Sequence, residues 1–302
     1  MFVYYALSGL NFIFLIIIMM RLPCKTIGVI VPHINHSFFS DAIAGIEEVC
    51  FEHGHSLIIC QSNESQQQEN LAIETHIRQN IDCIFIYVSA ETNSATHLEG
   101  IRNHDIELIQ FDRYIDSFEC NKVVNDNKQA SFDAVELLLR TYSLLGGPDH
   151  VTILKEGKQG YLEAIEKAGI DLPTGFTIIN ALDKYPATKM SSQLLNTEEP
   201  PDAFLTVSDH QSLGVLQAAK NMSVKVPEEL GIIGFANESF TELIAPSLSS
   251  INQHGKELGR STANLYFKGL GNKADGGIIN EPVVVKCDLI VRESSSRKQV
   301  KE

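Results

Sequence analysis

The sequence predicts an α/β protein made of two doubly wound parallel-sheet lobes. Two observations carry this. From Lys25 onward, short apolar runs alternate with segments of helical periodicity, the signature of βαβ units. The alternation then runs through a second full set after about residue 125, so the chain holds two such lobes in sequence.

The elements follow in order. Thr26–Val31 is an apolar strand closed by Pro32, and the loop Pro32–Ser37 leads into a helix whose Phe39, Ile43, Ile46 and Cys50 recur at helical spacing until Gly54 stops it. Ser56–Cys60 reads as the next strand. Ser62-Asn63-Glu64-Ser65 supplies capping residues for a helix running to about Asn80, and Cys83–Val88 is a buried-strand run. A helix near Thr96–His104 and the strand Glu107–Phe111 complete the first set. In the second set, helices are expected at Gln129–Arg140, Lys158–Ala168 and His210–Lys220, with strands near Phe176–Ile179, Ala203–Val207 and Leu230–Phe235. A long amphipathic helix, His254–Leu270, precedes strand-like segments Glu281–Lys286 and Leu289–Arg292.

Composition narrows the class. With 302 residues, 44% of them hydrophobic, the chain can bury a core in each lobe, and a net charge of −14 makes the body of the protein repel a phosphate backbone. The six cysteines are scattered without a close pair, so Cys60 and Cys83, each inside an apolar run, read as reduced core residues of a cytoplasmic protein. Met1–Met20 carries no charge and is apolar enough to suggest a membrane anchor, an export signal, or a start foreign to the domain that follows. Arg21 and Lys25 after that segment would hold the body in the cytoplasm if it were an anchor.

Catalytic signals are missing one by one: there is no G-x-S-x-G, no H-E-x-x-H, no P-loop and no G-x-G-x-x-G. His53 and His55 flank Gly54 in a turn, and the adjacent pairs Glu47-Glu48 and Glu228-Glu229 point apart. Neither an enzyme nor a metal site is expected, and no cofactor. Two parallel sheets instead bring strand carboxyl ends to a shared cleft, where open α/β sheets hold small molecules.

A more specific signal comes from Lys25–Pro32 followed by Phe38-Phe39 and Gly45-Ile46-Glu47, and from Phe111-Asp112-Arg113, Gly147-Pro148 with Gly160-Tyr161, Pro201-Asp202-Ala203 and Ser208-Asp209. It continues in Leu213-Gly214, Val226-Pro227, Gly231–Phe235 and Pro246–Ile251. This ordered set, spanning residues 25–296, resembles the effector-binding domain of the lactose-repressor/galactose-repressor (LacI/GalR) family. The resemblance implies a fold like the type I periplasmic binding proteins, a homodimer, and a regulator that closes its lobes on a small effector, a sugar or sugar derivative. It places residues 25–125 and 254–273 in the first lobe, 126–253 and 277–296 in the second, and 297–302 in a polar tail, with crossings near Asn125-Asp126, Ser250–Gln253 and Asn272–Gly277. The alternative with the same fold is an exported or membrane-anchored sugar receptor of a transport system.

Three departures from the family pattern stand out. Met1–Cys24 is too short and apolar for the helix-turn-helix, so DNA, a partner the resemblance implies, is not expected to be held by this chain directly. The stretch Leu139–Gly146 is shorter than the family pattern, which should strain or fray the first strand of the second lobe. Gly157 stands where the family has an effector-gripping arginine.

Candidate ligand-binding residues are Phe38, Phe39, Asp112, Arg113, Gly157, Tyr185, Leu205, Ser208, Asp209, Asn237 and Gln253. The family's matching positions put Phe38 and Phe39 against the effector, where an aromatic face can stack on a sugar, although Phe39 also falls on the core stripe. Asp112 and Arg113 follow a strand at its carboxyl end, where a carboxylate accepts bonds from hydroxyls; a solvent ion pair is the other reading. Tyr185 matches an aromatic wall. Leu205 lies on the strand that ends before Ser208, and Asp209 is either a ligand contact or a helix cap. Asn237 follows Ala236, where many family members carry Asp, and Gln253, at a crossing, can bond ligand or backbone.

Overall fold

The computed structural model describes residues 26–104, 106–138, 142–145, 151–170, 184–271 and 281–296. In the first lobe, β1 (Thr26–Val31), β2 (Ser56–Gln61), β3 (Cys83–Ile86), β4 (Glu107–Phe111) and β5 (Asn121–Asn125) are joined by β10 (Val283–Val285). They form a six-stranded sheet of order β10-β5-β4-β3-β1-β2. Every described pair in it is parallel, with Ile27 opposite Leu57 on one side and Cys83 on the other. Strand β3 lies in the middle and all of its residues are buried, whereas the edge strand β2 has only exposed and half-buried positions. This is the burial that a two-faced parallel sheet requires.

The second lobe holds β6 (Tyr142–Leu145), β7 (Ala203–Thr206), β8 (Gly231–Phe235), β9 (Ser249–Asn252) and β11 (Asp288–Ile290) in the order β11-β9-β8-β7-β6. Only β11 runs antiparallel to its neighbour.

Helices α1 (Ser37–Glu52), α2 (Gln66–Arg78) and the single turn α3 (Glu99–Arg102) belong to the first lobe. Helices α4 (Asn127–Leu138), α5 (Thr152–Ala168), α6 (Lys184–Leu195) and α7 (Asp209–Asn221) belong to the second, and α8 (Gly255–Gly271) returns to the first. The α1–α8 crossing is close enough to demand glycine from both helices. A Cβ at Gly45 would stand 2.0 Å from the Lys256 carbonyl oxygen, and one at Gly259 would stand 2.0 Å from that of Ala42. The apolar stripe of α1 (Phe39, Ile46, Cys50) meets Phe85, Phe111, Leu258 and Tyr266 in one core, and α4, α5, β7 and β8 bury Ala134, Tyr161, Leu205 and Ile233 in the other lobe.

The crossings depart from the sequence reading at one point. The chain passes between lobes after Asn125 and again at Gln253, but Val283–Val285 pairs with Val123–Asn125 in the first sheet. Val285 is buried in the first core while Leu289 packs on the second, so the third crossing falls at Lys286-Cys287. Asn272–Gly277, the expected crossing, and the strand expected at Phe176–Ile179 lie outside the described residues. The expected fraying of the first strand of the second lobe is not seen: β6 keeps register with β7 from Tyr142–Ala203 to Leu145–Thr206. Cys83 is buried as expected, but Cys60, on the edge strand, is only half-buried, and the five cysteines described are free. Met1–Cys24 lies outside the described residues, among which no helix is long and apolar enough to cross a membrane.

Candidate functional site

Strand carboxyl ends from both sheets converge on one cleft of about 570 Å³, within the range of small-molecule sites. The first lobe contributes Phe38, Phe39, Tyr87, Asp112 and Arg113 together with Glu64; the second contributes Gly157, Ser208, Asp209, Ala236 and Glu238; Asn127 and Gln253 come from the crossings. Backbone geometry at the two strand ends is unusual. Asp112 follows β4 at φ 55°, and Ala236 follows β8 at φ 99°, both in the left-handed half of the map that residues with a Cβ enter at a cost of order 1–3 kcal/mol.

The first-lobe wall is aromatic. Phe38 and Phe39 are both buried and meet edge to face at 5.3 Å, and Phe39 meets Tyr87 the same way at 4.9 Å. These rings serve core and cleft together, because both phenylalanines belong to the core cluster and line the cavity. Arg113 lies over the Tyr87 ring at 4.6 Å and gives its Nη1 to Glu64 Oε2 at 2.5 Å and to the Val88 carbonyl at 3.3 Å. Glu64 also accepts from the Ala90 N–H at 2.6 Å. The Arg113 Nε–H, buried, has no acceptor among the described residues.

Asp112, the neighbour of Arg113, is almost fully buried, and burial pushes its carboxyl up to about 7 against the pull of Arg113 and the Tyr87 hydroxyl. Gln253 reaches across the crossing: its Nε2 donates to Asn127 Oδ1 at 3.1 Å and lies 3.4 Å from Asp112 Oδ1, while its carbonyl accepts from Asn125 Nδ2 at 2.9 Å. The Gln253 side chain thus lines the cleft and bonds side chains of both lobes, while its own carbonyl is held by Asn125 at the crossing.

In the second lobe, Ser208 is the N-cap of α7, accepting from the Gln211 N–H, and Asp209 is the first helical residue. Of the two roles offered for Asp209, capping therefore falls to its neighbour. The Asp209 carboxylate accepts from Ser250 Oγ at 2.7 Å and from the Glu238 N–H at 2.8 Å. Its complete burial pushes it up to about 8, offset in part by those two bonds.

The lobes touch on both rims of the cleft. On one side Glu238, from the loop after β8, accepts the Ser37 N–H at 2.7 Å and the Phe38 N–H at 3.3 Å, so a second-lobe carboxylate caps the first turn of α1. On the other, the Tyr114 hydroxyl donates to Glu156 at 2.9 Å and the Tyr114 carbonyl accepts from Thr152 Oγ1 at 2.8 Å. The two lobes are thus bonded to each other across the cleft on both rims.

Three expected residues stand apart from the cavity wall. Tyr185 is 81% exposed on the first turn of α6, because α6 turns its Ala187, Ser191 and Leu195 inward and leaves position 185 to solvent. Leu205 is fully buried in the second core, on the inner face of β7. Asn237 instead ties the loop down, accepting from Arg292 Nη2 at 2.8 Å and giving its N–H to Ser250 Oγ at 2.9 Å. Conversely, Glu64, Tyr87, Asn127 and Glu238 were not anticipated. Tyr87 and Glu238 follow the carboxyl ends of β3 and β8, so the rule that singled out Asp112 would have found them.

This is the architecture of a two-lobed α/β domain with a small-molecule cleft between its lobes. Residues 135–295 match the family model for the periplasmic binding protein-like domain. The chain is 31% identical over 279 residues to the HTH-type transcriptional repressor CytR of Escherichia coli K12, covering 91% of this chain and 80% of that one. Its fold matches the transcription regulator CcpA of Lactococcus lactis with a TM-score of 0.82 at 21% identity, covering 90% of this chain and 99% of that one. It matches a LacI family regulator from Enterococcus faecium, crystallised with bound ribose, with a TM-score of 0.78 at 22% identity, covering 90% and 98%. The chain belongs to the LacI family of transcriptional regulators and carries its effector-binding domain; it is a regulator and not an enzyme. The transport-receptor alternative has no support among these relatives, which carry the names of transcriptional repressors or regulators.

Proposed function

We propose that the cleft holds an uncharged polyhydroxylated effector, a sugar or sugar derivative, and that effector binding sets the balance between closed and open lobes and so the activity of the repressor. The observation that carries the reading is the charge of the wall: four carboxyls (Glu64, Asp112, Asp209, Glu238) face one guanidinium, Arg113, which Glu64 already pairs. A phosphate or carboxylate entering that cavity would meet these acids in a wall that, histidines aside, holds no lysine and no arginine besides Arg113 among its described residues. A hydroxyl can donate to Asp112, while the faces of Phe38 and Phe39 offer a surface for the ring's C–H groups. Ribose in the Enterococcus faecium relative supports the class without fixing the compound.

An effector that touches both lobes favours closure only to the extent that it binds the closed state better. Asp112 from one side, Asp209 from the other and Gln253 at the hinge supply such differential contacts. Membership of the family further supports a homodimer working in the cytoplasm, which sedimentation at micromolar concentration and cell fractionation would check. The functional reading is tested by thermal-shift screening of the whole chain against neutral sugars, nucleosides, sugar acids and sugar phosphates. Stabilisation by a neutral compound is expected; stabilisation by the anionic compounds alone would refute it.

A further inference from the structure

The cleft rim gathers one cluster that sugar recognition leaves unexplained. His36 stands at the N-cap of α1 in the first lobe, His210 in the first turn of α7, and Glu238 in the loop after β8, both in the second lobe. The imidazoles of His36 and His210 stack across the gap with centroids 4.1 Å apart and planes 20° from parallel. One ligand-capable atom from each of the three residues lies within 4.8 Å of the other two, and among the described residues no other group of this kind is found.

We propose that His36, His210 and Glu238 form a divalent-cation site, suited to a borderline ion such as Zn(II), that ties the two lobes together at the cleft rim. Two neutral imidazoles and one carboxylate are a donor set that zinc accepts, with water left to fill a fourth position. Ligand atoms on adjacent corners of a zinc tetrahedron stand about 3.3 Å apart, given metal–ligand bonds of about 2.0–2.1 Å. The cluster therefore needs a contraction of about an ångström and a half at its widest, which rotation of two half-buried histidine rings supplies. Glu238 can take part while keeping its place on α1, because a carboxylate oxygen that accepts one N–H retains a second lone pair. Other rings flank the donors: His36 lies near His33 at 4.8 Å, and His210 meets Phe240 edge to face at 5.3 Å.

A cation bound here would need donors from both lobes, so it binds the closed state and not the open one. This makes it a second input to the same hinge, independent of whether the cavity takes a sugar.

The test titrates the full, metal-stripped chain with ZnCl2 by calorimetry and with CoCl2 by visible absorbance, alongside His36→Ala, His210→Ala, Glu238→Gln and, as a control, the distant His53→Ala. One equivalent of zinc is expected to bind, with Co(II) showing the spectrum of nitrogen and oxygen ligation without a thiolate band. Affinity should fall at least about tenfold in each histidine variant and stay unchanged in His53→Ala. Absence of one-equivalent binding, a thiolate band, or affinity that survives in either His36→Ala or His210→Ala would overturn the bridge. Circular dichroism of the variants verifies that each is folded when it is titrated.

Discussion

Gly234→Ala tests whether the second-lobe wall is built as one unit. Gly234 lies on β8 beneath the start of α7, and a Cβ there would fall 2.0 Å from Asp209 Oδ1 and 2.8 Å from Ser212 Oγ. The serine can rotate away, but Asp209 cannot easily do so, since its two oxygens hold Ser250 Oγ and the Glu238 N–H. At about pH 9, above the value of about 8 to which burial pushes Asp209, displacing the carboxylate forfeits two hydrogen bonds to a charged acceptor, each worth about 1.5–3 kcal/mol. With partial recovery by relaxation, the loss of stability should come to about 2–4 kcal/mol. Urea denaturation of the parent, Gly234→Ala, Asp209→Ala and the double variant measures it. Because the damage passes through Asp209, the alanine at 234 should cost less than about 1 kcal/mol once Asp209 is already gone. An equal cost in both backgrounds would refute the reasoning and place the strain elsewhere.

The remaining predictions concern charge. Burial raises Asp112 to about 7 and Asp209 to about 8 from an ordinary 3.8, so the folded state holds protons that the unfolded chain releases. Their contribution is therefore fully present below about pH 4 and is lost progressively up to about pH 8, above which both groups are ionised in the folded and unfolded chain alike; the melting temperature should fall between about pH 4 and 8, and less steeply in Asp112→Asn. Removing the guanidinium in Arg113→Met breaks the pair with Glu64 and takes the cation out of the cleft wall. Affinity should drop by about ten- to a hundredfold in calorimetry, and an unchanged Kd would place the effector away from this wall. At Gly157 a Cβ would meet only Ser131 Oγ, at 3.2 Å, so Gly157→Arg can enter the cleft wall. The added cation should improve a sugar acid over its neutral sugar by about tenfold, read as a ratio of Kd values; an unaltered ratio would show that the new side chain points elsewhere.

Much of this was legible beforehand, for reasons that differ by element. Central strands such as β1, β3 and β8 announce themselves as unbroken apolar runs, and α1 and α8 through helical periodicity with glycines at the crossing. Strand β5 escaped because Asn121-Lys122-Val123-Val124-Asn125 shows neither alternation nor a run, being fixed by pairing with β4 and β10. Local sequence also could not assign Val283–Val285 to a sheet, since three valines fit either edge. At the site, Asp112 and Arg113 were found by position after a strand. Tyr185 was carried over from the family pattern, and the facing of α6 leaves it in solvent. The His36, His210 and Glu238 cluster had no sequence signal at all: its members lie far apart in the chain and meet only because two lobes close.

The central claim is that this regulator closes its lobes around a neutral polyol held by Asp112. Isothermal titration of the full chain with the best neutral compound from the thermal screen, repeated on Asp112→Ala, tests it most directly. The account predicts one site per chain in the parent and at least about tenfold weaker binding in the variant, the loss of a charge-assisted hydrogen bond in a buried site. Binding of equal strength in Asp112→Ala, or a parent that takes only the phosphorylated or carboxylated analogue, would contradict it.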